Sequence, residues 1–583
     1  MPDPKNENLL NLSLEATEEE REKSSVLMTG FDSQEDRWEL IVKYSGQLSR
    51  ITELFPGTQV QELLNSYAIL NISQQYVDAL AALPQILYVE KPKRLFFAVT
   101  RGKQVSCITS VQGGREGLTG KGVLVGIVDS GIDYTHPDFR NDDGTSRILS
   151  IWDQQSDRGT PPEGFVFGTE YGKEQIDEAL SQSSAADRQA IVPAMDLSGH
   201  GTAVAGIAAG NGRAQEGIYR GVAYESPIIV VKLAVPMENS FPRTTQLMAG
   251  IDYLVRKSLA LNMPMAINIS FGNNYGSHSG TSLLETYIGD IAGLGRTAIC
   301  IGTGNEAAEP VHTAVQFRKG RQNSSQDVLL GVAPSQTSLS VQIWKEYADE
   351  IDIEVLHPSG RSTGVLFAAA GAQRFPFGDT TLLVYYGEPS PYSINQEIFI
   401  DMIPRGSFVD SGTWIIRLTP RNILIGQVDL WLPAGGVLNR GSGFLNPEPD
   451  TTLTIPSTAR KVIAVGAYDA YTDTYADFSG RGYTRVTEMI KPDIVAPGVN
   501  VMTTAVGGGY GPVTGTSFAT PFVTGSAALM MEWGIVRGND PFLYGEKIRA
   551  SLQKGARRPI AEREYPNERW GWGALCVENS LPR

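Results

Sequence analysis

Residues 515–530 have the sequence GTSFATPFVTGSAALM, a glycine turn followed by small and apolar residues that predict a buried helix. Ser517 stands at the entry of that helix, where backbone N–H groups lack partners within the helix and the helix dipole favours negative charge. Pro521 is expected to fit the first turn. Ser517 is therefore a candidate nucleophile. Because Gly-Thr-Ser before an apolar helix is also an ordinary helix start, the assignment needs support from other stretches.

The composition indicates a large globular protein. With 583 residues, 41% of them hydrophobic, the chain predicts two or three domains. The net charge of -15 argues against nucleic acid as a partner. Cys107, Cys300 and Cys576 are odd in number, far apart and without metal-ligand spacing, so we expect no disulfide framework. No cluster of His, Cys or carboxylates has ligand spacing, so we also expect no metal and no cofactor. The acidic N-terminus does not resemble a secretory signal and no stretch resembles a membrane span, which predicts cytoplasmic synthesis.

The first part of the chain predicts a small α+β domain. It begins with a charged helical arm of about thirty residues to which we assign no chemistry. The pattern of apolar residues then predicts strands at 38–44, 68–72 and 86–89 and helices at 60–64 and after Ser73. Its position before the candidate catalytic stretches favours a folding chaperone or inhibitor segment.

Asp129 ends a strand that is rich in valine and isoleucine, within GVLVGIVDSGIDYTHPDF. This pattern is typical of a parallel strand buried in an α/β sheet, and active sites gather at the carboxyl ends of such strands. Asp129 can therefore orient a histidine. Asp133 and Asp138 are rivals, with His136 between them, but all three lie beyond the strand and are expected to shape the loop.

His200 opens a predicted helix of small residues in LSGHGTAVAGIAAG. A general base needs such a restricted position, because its ring must reach both a carboxylate and a hydroxyl. The chain has five histidines. His278, His312 and His357 occur singly in polar or turn contexts, which favour solvated or capping roles.

Asn305 follows a third apolar strand, in AICIGTGNEA, and its side-chain amide could donate to an oxyanion. An asparagine after glycine is also a common turn residue. Upstream, residues 266–274 (AINISFGNN) form a predicted strand that runs into polar residues and could line a substrate cleft.

Six motifs in this order resemble those of the subtilisin-like serine proteases, the subtilases: DSGI, HPDF, SGHGT, GTGNE, KPDIVAPG and GTSFATP. The resemblance implies a catalytic triad of Asp129, His200 and Ser517, with Asn305 as the oxyanion donor. It also implies that six residues line the first specificity pocket, namely Ser270, Phe271, Gly272, Gly302, Thr303 and Gly304.

The chain departs from the usual subtilase pattern at three places. Ala203 stands where most members repeat a histidine, and Phe518 stands where methionine is usual. Neither position carries proton chemistry, so we expect altered packing near the site and retained activity. The loop at 211–221 does not match the calcium-binding loop of secreted bacterial members, so no calcium site is expected there.

The spacing of the four residues predicts a large insertion. Asp129 and His200 are 200 − 129 = 71 residues apart, against about 32 in subtilisin, and Asn305 and Ser517 are 517 − 305 = 212 apart, against about 66. The second excess is the size of a domain. Short alternating runs separated by turn residues predict a β-sandwich with strands at 338–343, 351–355, 364–369, 381–386, 398–403, 413–418 and 427–432.

The predicted fold class is therefore α/β, a subtilisin-like parallel-sheet protease with an N-terminal α+β prodomain and an inserted all-β jelly-roll or sandwich domain. We expect a prodomain at 1–97, the first part of the protease at 98–305, the insertion at 306–452 and the second part of the protease at 453–583.

Within the subtilases this architecture resembles the Csp germination proteases of clostridial spores. The resemblance implies packaging in the spore, a cleaved prodomain that stays bound, and a protein substrate that is the zymogen of a cortex-lytic enzyme. We expect one self-inflicted cut between about Phe97 and Ser106, with a mature start near Ala98 or in the polar segment after it.

Two alternatives from other classes remain open. The chain could be a pseudoprotease that senses a signal or scaffolds a partner, although its four catalytic residues are intact. Alternatively, the sandwich could be the functional part and bind a glycan or a protein, which outward-facing Trp414 or Trp431 would favour.

Overall fold

The computed structural model describes residues 3–93, 96–97, 105–113, 115–235, 241–319, 324–366, 368, 371–560 and 562–582. The chain forms two compact units. The first contains Met1–Arg94, Asn273–Leu283 and Glu306–Thr451, and the second contains Leu95–Gly272, Leu284–Asn305 and Thr452–Arg583. Among the described residues, no helix combines the length and apolar character needed to cross a membrane.

The N-terminal part of the first unit is built on a five-stranded antiparallel sheet. Its strands are Phe31–Asp32, Arg37–Tyr44, Gln59–Leu63, Tyr67–Ser73 and Ile86–Glu90, and its helices are Asn8–Glu15, Glu18–Lys23, Ser25–Met28, Ile51–Leu54 and Val77–Ala81. The predicted helix at 60–64 is wrong. Asn65 and Ser66 have positive φ angles and close a hairpin, so this segment pairs with Tyr67–Ser73 and gains ladder hydrogen bonds that outweigh its helical spacing.

The inserted domain of the first unit is a β-sandwich of two antiparallel sheets. One sheet has the order His312–Gln316, Gln427–Trp431, Leu339–Glu346, Asn395–Pro404, Thr380–Tyr386, Gln373–Phe377. The other has the order Ser362–Leu366, Glu350–Leu356, Gly412–Asn422, Gln326–Val332, Gly443–Phe444. Each of the seven predicted runs overlaps a strand, although residues 338, 368 and 432 lie outside the strands. The inward-facing residues of both sheets form one hydrophobic core.

A buried charged cluster, which we call the Lys93 cluster, lies where the N-terminal part of the first unit meets the sandwich. Lys93 Nζ lies 2.6 Å from Glu7 Oε1 and 2.5 Å from Glu90 Oε1. These three residues and Glu397 of the sandwich line one cavity of about 60 Å³. Burial raises the pKa of Glu7 to about 7 and that of Glu397 to about 8.

The N-terminal arm also contacts the sandwich directly. Arg374 donates two hydrogen bonds to the carboxylate of Glu20, at 2.6 and 2.9 Å. The backbone N–H of Ala372 donates to Glu15 at 2.6 Å. The N-terminal arm, to which no chemistry was assigned from the sequence, therefore packs on the sandwich.

The second unit is organised by a nine-stranded, mostly parallel sheet. Its order is Thr474–Tyr475, Ile463–Asp469, Thr297–Gly302, Met265–Ile269, Leu124–Asp129, Ile228–Lys232, Ile148–Asp153, Thr169–Gly172, and Ile494–Pro497 also pairs with Ile463–Asp469. The helices are Ile108–Gly113, Lys173–Ser181, Ala185–Ile191, His200–Ala209, Thr244–Leu261, Leu283–Ile291, Thr516–Met531, Glu546–Gly555 and Val577–Ser580. The predicted α/β class with a parallel sheet is confirmed.

A disulfide joins Cys107 to Cys576, with a Cα–Cα distance of 4.8 Å. The cysteine pattern predicts no disulfide framework and gives no sign of this bond, because its two cysteines are 469 residues apart in sequence and only the fold brings them together. Backbone and side-chain hydrogen bonds fix the same segment, since Val577 N–H donates to the Ser106 carbonyl and Tyr468 donates to the Val105 carbonyl. Cys300 is free and buried, and burial raises the pKa of its thiol to about 12.

Candidate active site

Asp129 and His200 form a direct pair at the carboxyl edge of the parallel sheet. Asp129 is the last residue of its strand and His200 is the first residue of its helix. The His200 Nδ1 and Asp129 Oδ1 atoms are 2.7 Å apart, and both side chains are buried. Such a hydrogen bond assigns the proton to Nδ1 and leaves Nε2 as the basic nitrogen.

Close approach of the strand and the helix depends on glycine. A Cβ atom on Gly201 would lie 2.2 Å from the Gly131 carbonyl oxygen and 3.0 Å from the Asp129 Cβ. Gly199, immediately before the helix, has φ +77°, which an L side chain rarely adopts. The glycines around His200 are therefore required by the geometry of the pair.

Ser517 lies in the first turn of the helix Thr516–Met531. Pro521 lies in the second turn of this helix, so the prediction that it fits the first turn is wrong. Because proline has no N–H, it cannot donate to the carbonyl four residues earlier, that of Ser517. Ser270 Oγ donates to this carbonyl instead, at 3.0 Å, and Ser517 Oγ lies 3.4 Å from the Ser270 carbonyl.

Asn305 is fixed against the start of the same helix. Its Oδ1 accepts hydrogen bonds from the Thr516 N–H at 3.0 Å and from the Thr516 hydroxyl at 3.2 Å. The acceptor end of the amide is thus committed to Thr516, and Nδ2 is its donor end. The Thr516 hydroxyl oxygen in turn accepts a hydrogen bond from the Gly304 N–H at 3.1 Å.

Two aromatic rings pack around the imidazole of His200. The ring of Phe518 lies 5.2 Å from it and that of Phe271 lies 6.0 Å from it, centroid to centroid. Phe518, one of the departures from the usual subtilase pattern, therefore packs against the imidazole. Ala203 is also buried, and its carbonyl accepts a hydrogen bond from Thr503 at 2.8 Å.

The predicted pocket residues lie on two neighbouring segments, and Thr454 lies against both. A Cβ atom on Gly272 would be 2.4 Å from Thr454 Oγ1, and one on Gly304 would be 2.3 Å from Thr454 Cγ2. The Thr454 N–H donates to the carbonyl of Thr303 at 2.9 Å. Gly302 faces Thr520 and Thr516 on the serine helix. Thr454 could not be found from the sequence, because the insertion separates it from the predicted pocket residues.

Asp133, His136 and Asp138 lie outside the Asp129–His200 pair, and they organise loops as expected. Asp133 accepts hydrogen bonds from Thr135 and Gly507, and His136 Nε2 lies 3.0 Å from the Gly509 carbonyl oxygen. Asp138 accepts from the Tyr510 hydroxyl and from the Ala214 N–H within the loop at 211–221. Among the described residues, no group of three His, Cys, Asp or Glu side chains is arranged to hold a metal ion.

The remaining histidines and tryptophans belong to the interior of the first unit. His278 and His312 are buried and stack on Trp431, with centroids 4.2 and 4.7 Å apart, so their predicted solvated roles are wrong. His357 packs edge-on against Trp414. Because Trp414 and Trp431 are both buried, the outward-facing aromatic residues that would favour glycan binding are not found at these positions.

A family model described as the subtilase family matches residues 120–343 and 439–573, and a model described as the Csp protease B prodomain matches residues 4–93. The structure is similar to that of the CspB protease of Clostridium perfringens, with 39% sequence identity, a TM-score of 0.75, and coverage of 82% of this chain and 95% of that chain.

Two curated relatives come from Bacillus subtilis (strain 168). The minor extracellular protease Vpr is 24% identical over 486 residues, which cover 80% of this chain and 52% of Vpr. The serine protease AprX is 36% identical over 179 residues, which cover 27% of this chain and 38% of AprX. The chain thus spans about half the length of Vpr and less of AprX.

Proposed function

Because the chain belongs to the subtilase family and carries a Csp protease B prodomain, we propose that it is a serine endopeptidase that cuts its own prodomain and then activates a protein zymogen. The observation that carries this proposal is the buried Asp129–His200 hydrogen bond of 2.7 Å beside the helix that presents Ser517.

The proposed reaction is acyl transfer. Ser517 Oγ attacks the scissile carbonyl carbon while His200 Nε2 accepts the hydroxyl proton, and Asp129 stabilises the resulting imidazolium. The Asn305 amide and the Ser517 backbone N–H donate to the oxyanion. His200 then gives the proton to the leaving amine. A water molecule hydrolyses the acyl-enzyme by the same proton transfers, which restores the serine.

Self-cleavage is supported by a strand that precedes the proposed cut. Phe96–Phe97 pairs antiparallel with Phe271–Gly272, a segment of the predicted pocket. A substrate bound as an added strand would pair with the cleft in this way. The mature start near Ala98 lies outside the described residues, as does most of the segment between Phe97 and Ser106. Intramolecular placement gives the cut a high effective concentration.

Thr454 supports a preference for small residues at the cleavage site. Its side chain lies against both Gly272 and Gly304, two of the predicted pocket residues, and limits the space beside them. We therefore propose that a short substrate side chain is preferred there over a large aromatic one.

The proposed downstream substrate is the zymogen of a spore cortex-lytic enzyme, and the proposed setting is the spore after cytoplasmic synthesis. This part of the proposal is supported by the similarity to the Clostridium perfringens CspB protease and by the matching prodomain model. The cleaved prodomain is the second proposed partner. Its packing on the sandwich supports retention after the cut, because the contacts of Glu15 and Glu20 with the sandwich do not depend on an intact chain.

Mass spectrometry of the purified chain tests self-cleavage. Wild type should give two co-purifying fragments and react with a fluorophosphonate, whereas Ser517→Ala should give one uncut chain that does not react. Ser526→Ala, on the same helix, is the matched control and should be cut normally. The same cut in Ser517→Ala from a host without other proteases would contradict self-cleavage. An uncut, unreactive wild type would favour the pseudoprotease alternative.

Incubation with a purified cortex-lytic zymogen tests the downstream substrate. Wild type should convert the zymogen to one shorter product at a single bond, and Ser517→Ala should leave it intact. If wild type cuts itself and labels with fluorophosphonate but leaves the zymogen intact, the peptidase assignment stands and this substrate is wrong.

A further inference from the structure

Asp196 holds together the two segments that carry Asp129 and His200. Its side chain is buried, with 1% of its surface exposed. Oδ1 accepts hydrogen bonds from the Ser130 hydroxyl at 2.9 Å and from the Gly199 N–H at 2.9 Å, and Oδ2 accepts from the N–H and the hydroxyl of Thr202 at 2.8 and 2.7 Å. The Asp196 carboxylate thus accepts hydrogen bonds from Ser130, the residue after Asp129, and from Gly199 and Thr202, which lie on either side of His200.

The helix that begins at His200 needs this arrangement. Its N-cap residue is Gly199, which has no side chain to accept a hydrogen bond from the first turn. Three oxygen atoms from elsewhere accept these N–H groups: Ser198 Oγ from His200, Ser130 Oγ from Gly201, and Asp196 Oδ2 from Thr202. The first turn is therefore capped entirely by side chains around Asp196.

Ser130 connects this capping network to Asp129. Its backbone N–H donates to Asp129 Oδ1 at 2.7 Å, and its hydroxyl lies 3.2 Å from the same atom and 2.9 Å from Asp196 Oδ1. The Ser198 hydroxyl donates to Ser130 Oγ at 2.8 Å. Asp129 Oδ1 is also the atom that bonds His200 Nδ1, so its position depends on the same network.

We infer that Asp196 is a positioning residue for the peptidase reaction, acting through Ser130 and through the first turn of the helix to fix the Asp129–His200 hydrogen bond. The inference rests on the proposed function. Asp196 touches neither the substrate nor a reacting atom in the proposed mechanism. A small displacement of either partner in such a pair can lower the rate about a hundredfold.

Asp196→Asn tests the inference with the least change in shape. The amide presents N–H₂ where one carboxylate oxygen accepted hydrogen bonds, so either the Ser130 and Gly199 side or the Thr202 side loses its acceptor. We expect kcat for a peptide substrate to fall about ten- to hundredfold with KM changed less than about twofold. Ser130→Ala keeps the Asp196 carboxylate and cuts its link to Asp129. It should give the same pattern with a smaller loss.

Asp138→Asn is the matched control. Asp138 is equally buried in the same unit and accepts from Tyr510 and Ala214, outside the site. It should lower the melting temperature and leave kcat and the pH profile of kcat/KM unchanged. Equal losses of kcat in Asp138→Asn and Asp196→Asn would show a general effect of removing buried charge and would overturn the inference.

NMR of the His200 ring gives a readout that does not need activity. In the full-length Ser517→Ala chain, the proton on His200 Nδ1 and the ring titration midpoint report the hydrogen bond to Asp129. Adding Asp196→Asn should shift or broaden the proton resonance and lower the midpoint, because an anion near the imidazolium is lost. An unchanged resonance and midpoint in a folded protein would overturn the inference. Inactivity of wild type alone would instead contradict the proposed function.

Should Asp196→Asn fail to fold, Ser130→Ala in the same Ser517→Ala background decides. It leaves the Thr202 cap in place and removes the connection between Asp196 and Asp129. A His200 resonance identical to that of Ser517→Ala alone would then overturn the inference, and a shifted resonance would support it.

Discussion

Removal of the Lys93 ammonium should destabilise the unit formed by the N-terminal part and the sandwich. Lys93→Met keeps most of the apolar stem and leaves Glu7 and Glu90 without the cation that lies 2.6 and 2.5 Å from them. The side chains of Glu7 and Glu90 are only 14% and 4% exposed, so water cannot replace the ammonium. Breaking a buried ion pair costs about 3–5 kcal/mol. For a unit of this size, the melting temperature should fall by about 10 °C.

The loss of stability in Lys93→Met should depend on pH, and the pKa of Glu7 decides whether it grows or shrinks as pH rises. Burial already raises the pKa of Glu7 to about 7, and loss of Lys93 should raise it further. A carboxyl whose pKa is higher in the folded state contributes stability that is complete below the unfolded pKa, about 4.5, and is lost as pH rises through the folded value. The loss in free energy of unfolding caused by Lys93→Met should therefore be largest above pH 8 and smallest near pH 5.

Calorimetry of the uncut Ser517→Ala chain at pH 5 and pH 8 measures both effects. Arg50→Met is the control, because Arg50 and Glu53 form an exposed pair 3.8 Å apart, and such pairs contribute less than about 1 kcal/mol. A loss below about 1 kcal/mol at pH 8 would refute the reasoning, as would equal losses at the two pH values.

Three further outcomes are expected. Burial raises the pKa of Glu397 to about 8, so the stability that its neutral form contributes is complete below about pH 4.5 and is lost as pH rises through 8. Glu397→Gln should therefore raise the melting temperature at pH 9 and change it little at pH 5. A larger change at pH 5 than at pH 9 would contradict this. Thr454→Gly should raise kcat/KM for peptides with a large apolar residue at the cleavage site at least about tenfold relative to alanine, and an unchanged ratio would exclude Thr454 from the pocket. Activity should survive EDTA, because Asp138 is already bonded to Tyr510 and Ala214; a large fall in melting temperature that calcium reverses would reveal a metal site.

The sequence predicted those parts of the site that depend on local structure. A buried strand that ends in an aspartate, as at Asp129, and a helix entered through a glycine, as at His200, leave clear patterns of residue type. The strands of the insertion were predicted for the same reason, since alternation and turn residues act over a few positions. The subtilase family and the Csp-type prodomain were predicted from motif order and layout, and both are confirmed. The assigned roles of individual residues stay predictions.

The parts that were missed depend on contacts between distant segments. Thr454 acquires its place from Gly272 and Gly304, and no local feature of its own sequence indicates that contact. The strand Gln59–Leu63 was mistaken for a helix because only pairing with its neighbour decides its structure. Asp196 likewise gains its significance from Ser130, which lies 66 residues earlier.

The bond between Cys107 and Cys576 turns almost the whole protease into a covalent ring. A single nick anywhere inside that ring, including one in the inserted sandwich, opens it without separating the pieces, so the chain migrates as one species until a reductant is added. The proposed maturation cut lies before Cys107 and therefore outside the ring. On a denaturing gel this cut gives residues 1 to about 97 as a separate polypeptide, whether or not a reductant is present. Gels run with and without reductant would thus distinguish maturation from damage in a single sample.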